Sequence, residues 1–120
     1  MKNGHCEIGM GSGGRFIQPC ILLSLKENVL HGYGLLEKIM EFGFSSEPID
    51  ISVIYRQLKK MESEGLITSA WNTDTGGPAK KVYSLTGDGM DALKAYKDFF
   101  VHRKEKIEAF LKTFDERMGE

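Results

Sequence analysis

The sequence predicts a mainly α-helical fold with one small β-hairpin, an α+β arrangement in which three short helices precede the hairpin and one long helix follows it. Three observations carry this expectation. Apolar residues recur at spacings of three and four through four segments. Two short β-rich runs flank a turn containing Gly76-Gly77-Pro78. Glycine or proline punctuates most of the joints between segments. The length of 120 residues is that of one domain. With 41% hydrophobic and 28% charged residues, the chain has the balance of an ordinary globular protein rather than a disordered or fibrous one.

The elements follow in order. Gly4, Gly9, Gly11, Gly13 and Gly14 crowd the start, so residues 1–14 read as a flexible Gly-rich arm. No apolar stretch follows Lys2 as in a secretory signal, and no run approaches the ~20 residues that span a bilayer. A cytoplasmic location with no membrane partner is expected. There the two cysteines, Cys6 and Cys20, stay thiols. His5-Cys6 lacks a second pair of ligands, so neither a metal nor another cofactor is expected.

Helix one runs from Phe16 to Leu25, with Pro19 in its first turn, where a missing N–H costs nothing. After Glu27-Asn28, the run His31-Gly32-Tyr33-Gly34 leads into Leu35, Leu36, Ile39 and Met40 of helix two, which Gly43 stops. Asp50 caps a third helix whose apolar stripe is Ile51, Ile54, Leu58 and Met61 and whose end is Gly65. Ser52, Arg56, Gln57, Lys59 and Lys60 stand off that stripe. Leu66 to Trp71 and Lys81 to Leu85 form the hairpin, with Trp71 expected to pack into the core at its base. Beyond Thr86, Leu93, Tyr96, Phe100, Ile107, Phe110 and Phe114 alternate by three and four along a long helix, a seam interrupted by Arg103.

Three helices and then a hairpin is the order of a winged helix-turn-helix, in which the third helix enters the DNA major groove and the hairpin flanks it. The division expected is a winged-helix domain over 15–85 and a C-terminal dimerisation helix over 86–120. The long seam is too apolar for water and implies a two-fold homodimer through Leu93, Tyr96, Phe100, Ile107, Phe110 and Phe114. Net charge is −1, yet residues 51–83 carry five Lys/Arg against three Asp/Glu, so the segment holding helix three and the hairpin is the basic part.

Ordered along the chain, His31-Gly32-Tyr33, Ile54-Tyr55-Arg56-Gln57-Leu58, Met61-Glu62, Gly65-Leu66-Ile67, Trp71, Gly77-Pro78-Ala79-Lys80-Lys81-Val82-Tyr83 and Leu85-Thr86-x-x-Gly89 resemble the PadR family of bacterial transcriptional regulators. The resemblance spans roughly Phe16 to Phe114 and implies a dimeric winged-helix repressor, released from DNA in some members by a ligand or stress signal. Gly34 replaces the glutamate usual in the family, and Ile54 replaces a leucine. The first change loosens the start of helix two. The second keeps an aliphatic core position.

The chemistry expected at each position follows from its side chain. Arg56 can fork onto guanine and Gln57 can pair with adenine, while Ser52 and Val53 lie nearest the groove floor at the helix start. Lys60, with Lys80, Lys81 and Gly77 of the wing and the hydroxyls of Tyr33 and Tyr55, would meet phosphates of double-stranded DNA. Tyr96, Phe99 and Phe100 are the expected wall of a pocket for a small aromatic effector, because drug-responsive relatives bind flat aromatic compounds between subunits. The Gly-Gly-Pro turn lacks the lysine-serine pair and following helix of a phosphate loop. Outside the arm the histidines are His31 and His102, neither stands beside a Ser, Cys or carboxylate at a spacing suited to nucleophilic or acid-base work, and no catalytic residue is expected. The rival reading, a winged helix that meets a protein, requires an uncharged outer face on helix three, where Arg56, Gln57 and Lys60 stand instead.

Overall fold

A computed structural model of the chain describes residues 16–43, 47–74 and 76–119. The Gly-rich arm, with His5 and Cys6, lies outside the described residues. The order is α1 (Ile17–Glu27), β1 (Leu30–His31), α2 (Gly32–Glu41), α3 (Ile51–Ser63), β2 (Ile67–Asn72), β3 (Lys80–Leu85) and α4 (Gly87–Arg117). The predicted order of helices and hairpin is therefore present, with one addition. The two residues of β1 pair antiparallel with β3, Leu30 opposite Tyr83 and His31 opposite Val82, so the hairpin becomes a three-stranded sheet of order β1-β3-β2.

Helix α1 is the centre of the head. Ile17, Pro19, Cys20, Ile21, Leu22, Ser24 and Leu25 are all buried, a breadth expected of a helix covered on several sides. It contacts α2, α3, α4 and β3. Its burial pushes the Cys20 thiol up to about 11, so Cys20 is a neutral core side chain rather than a nucleophile. Leu35 and Ile39 of α2, Ile54, Leu58 and Met61 of α3, Ile67 of β2 and Tyr83 of β3 complete the core. Each such burial contributes about 1.5–3 kcal/mol, and the apolar stripe of α3 is the face that seats it on the body.

Local chemistry fixes the helix starts. Asp50 Oδ1 accepts from Ser52 N at 2.9 Å, and that bond holds its carboxyl below the usual carboxylate range. Thr86 Oγ1 accepts from Gly89 N at 3.0 Å, and its hydroxyl lies within hydrogen-bonding distance of the carbonyls of Gly65, at 2.7 Å, and Leu66, at 2.9 Å. Gly89 is buried where the start of α4 passes Leu66 and Leu85, and an added Cβ would run into the Leu66 carbonyl oxygen. The Leu85-Thr86-x-x-Gly89 motif is thus the joint between the head and α4.

The apolar seam of α4 divides in two. Leu93 and Tyr96 pack against the core of their own chain, and Phe100 stacks on Phe16 at 5.2 Å and on Tyr96 at 5.9 Å. The expectation that the whole seam faces a partner is revised for Leu93, Tyr96 and Phe100, which already pack against the core and Phe16 of their own chain. From Val101 to Gly119 every residue is exposed, Ile107, Phe110 and Phe114 among them. No helix among the described residues is long and apolar enough to cross a membrane.

Candidate nucleic-acid interface

With Ile54, Leu58 and Met61 buried, helical geometry dictates which side chains of α3 face outward. They are Ser52, Tyr55, Arg56, Lys59, Lys60 and Ser63, all exposed along one stripe. Lys60 lies 4.0 Å from Glu64, an exposed pair one turn apart and worth a few tenths of a kcal/mol, so little holds it back from another anion.

Two residues expected on this stripe are elsewhere. Val53 is half-buried and packs against the core, since it falls beside Ile54 on the covered flank of the helix. Gln57 is half-buried too, and its Oε1 accepts from Gln18 Nε2 at 2.8 Å. The Tyr96 hydroxyl in turn donates to Gln18 Oε1 at 3.4 Å, so a polar chain joins α3, α1 and α4. Gln57 therefore secures the helix to the body, and its amide is not displayed outward. The sequence offered no sign of Gln18 as the partner, because the pairing spans 39 positions.

The wing stands beside this stripe. Ser69 Oγ donates to Glu62 Oε2 at 2.6 Å and ties β2 to α3. Directly opposed residues of β2 and β3 share a face, which places Ile67 with Leu85, Ser69 with Tyr83, and Trp71 with Lys81. The first pair lies in or against the core and the second at its edge, while Trp71 is 66% exposed. This overturns the expectation that Trp71 packs at the wing base. Trp71 lies beyond Ile67 and Ser69 on the strand, where an open groove and not a packed element separates it from Tyr55 and Lys59 of α3.

Between α3 and the wing lies an open groove of about 1020 Å³ lined by His31, Tyr33, Tyr55, Lys59, Trp71 and Lys81 among others. Tyr33 and Tyr55 are exposed. Gly32 permits this arrangement, because a Cβ there would strike the Tyr55 ring at 2.6 Å. His31 caps α2, its Nδ1 accepting from Gly34 N at 3.2 Å, which assigns the imidazole a positioning duty at the groove edge. Burial, reinforced by the Glu62 carboxylate, raises the Tyr83 hydroxyl above its usual range and keeps it protonated. Lys81 Nζ stands 6.0 Å from the centre of the Tyr83 ring. Lys80, Lys81 and Gly77 are all exposed on the wing. Among the described residues no cluster of side chains suits a metal ion.

The fold and its sequence have close parallels. A PadR family transcription regulator from Clostridium difficile R20291 is 31% identical with a TM-score of 0.70, covering 80% of this chain and 98% of its own. A PadR-like transcriptional regulator from Bacillus cereus ATCC 14579 is 26% identical with a TM-score of 0.69, over 79% and 90% of the two chains. A conserved protein described as a potential transcriptional factor reaches a TM-score of 0.78 at 29% identity, over 92% and 96%. No curated protein sequence is a significant match. Residues 21–95 match the model of the transcriptional regulator PadR-like family, and the chain belongs to that family of winged-helix transcriptional regulators.

Proposed function

We propose that the protein is a repressor that binds an inverted-repeat operator as a homodimer in the cytoplasm, with α3 in the major groove of each half-site and the wing on the adjoining backbone. The observation that carries this reading is the outer stripe of α3, where Ser52, Tyr55, Arg56, Lys59, Lys60 and Ser63 are exposed together beside a wing bearing Lys80 and Lys81. Arg56 reads a guanine edge and Ser52 a neighbouring base. Lys60, Lys80, Lys81, the Tyr33 and Tyr55 hydroxyls and the wing backbone at Gly77 hold phosphates and set the register. Val53 and Gln57 act from behind by fixing how α3 is seated.

The dimer forms through α4, and its uncovered Ile107, Phe110 and Phe114 support this. In this reading residues 15–85 are the DNA-binding unit and 86–120 the dimerisation helix. A small aromatic effector between subunits would meet Phe99, which is exposed, beside Phe100 and Tyr96. Fluorescence anisotropy with DNA from upstream of the protein's own gene, against scrambled DNA at two salt concentrations, tests the reading. Preference of ~10³-fold or more, with affinity falling as salt rises, is the expected result. Equal, weak binding to both would overturn it for that locus.

A further inference from the structure

Trp71 has no evident structural duty, since an indole at 66% exposure gives up little stability when it is removed. It nonetheless continues the inner face of β2 past Ile67 and Ser69 and overhangs the helix–wing groove. Its surroundings are mostly cationic, with three lysines against one carboxylate along the groove. Lys81 lies across the ladder from it, Lys59 and Lys80 also line the groove, and the Glu62 carboxylate there already accepts from Ser69. A large apolar ring flanked by separated cations matches a sugar–phosphate strand, in which apolar deoxyribose alternates with anionic phosphate. The base faces of a duplex are stacked away and unavailable to it.

We propose that Trp71 and Lys59 are DNA-contact residues. One backbone strand lies in the groove between α3 and the wing, Trp71 packs on a deoxyribose, and Lys59 and Lys81 hold the phosphates on either side. This rests on the DNA-binding reading above and extends the interface from two separate elements to the space between them.

Trp71 is the only tryptophan, so the emission of the intact protein reports this site alone. Adding an unlabelled random-sequence duplex at low salt shifts that emission and protects it from acrylamide. Trp71→Ala weakens binding to operator and random DNA alike by roughly tenfold, the cost of an unburied ring, and Trp71→Phe restores most of it. Lys59→Ala lowers the slope of log affinity against log salt by about one. If a labelled duplex binds while acrylamide quenching and the Trp71→Ala affinity are unchanged, the inference is overturned and the DNA reading stands. If no duplex binds at any salt concentration, the DNA reading falls first and this inference with it.

Discussion

The two halves of α4 share one helical geometry and have opposite surroundings. Up to Phe100 the helix rests on its own chain, through Gly89 against Leu66, Leu93 and Tyr96 against the core, and Phe100 on Phe16. Beyond Phe100 the seam keeps its spacing but every residue is exposed, and Phe110 meets Phe114 of the same helix in a tilted pair at 6.4 Å. Most helical stability in proteins comes from a packed apolar face, and this half of the helix has none covered by its own chain among the described residues. The head is complete within one chain. The second half of α4 is an apolar face without a counterpart in the described residues, as expected of a surface made for a second copy.

The largest expected effect tests that contrast directly. Phe110→Asp combined with Phe114→Asp should convert the protein to a monomer in sedimentation velocity and bring operator affinity down to the non-specific level, roughly 10³-fold, while the far-UV signature of the head persists. An unchanged oligomer would break the comparison. On the other side, Leu58→Ala should cost about 2–5 kcal/mol in urea unfolding, whereas Ile107→Ala should leave the unfolding of the head within about 0.5 kcal/mol. Equal losses at the two positions would mean that the halves are not distinct.

Smaller effects separate the two flanks of α3. Arg56→Ala should reduce operator binding by about 1–3 kcal/mol and relax one base preference, and Lys81→Ala should weaken all DNA alike. Gln57→Leu should leave base preference intact, because its amide is engaged by Gln18. A Gln57→Leu variant with an altered operator would return this residue to the reading face. The smallest effect concerns Cys20, whose thiol is pushed by burial from 9.0 up to about 11, so that little thiolate is available to react. In a Cys6→Ser background, Cys20 should react with a disulfide reagent only at the rate of unfolding. Since burial favours the neutral thiol, its contribution to stability is complete below about 9 and is lost as pH rises towards about 11.

Much of this was legible in the chain because it is local. Asp50 and Thr86 cap the helices that follow them through bonds that span only two or three residues. Gly32 and Gly89 belong to the motifs that carried the family resemblance, and both are places where another group comes too close for a side chain. Strand β1 was not legible, because two residues carry no periodicity and Leu30 becomes a strand only by meeting Tyr83 far along the sequence. Trp71 was misplaced for a related reason. Alternation assigns a face, whereas burial depends on whether another element reaches that far.

The sequence by itself determined the order of elements, the caps, the apolar stripes and the family, since each is written in residues a few positions apart or in an ordered set of motifs. Only the tertiary structure decided that Gln57 and Val53 turn inward, that Trp71 overhangs a groove, and that the seam of α4 is half covered. These depend on where one element ends against another, and packing between distant segments sets that boundary.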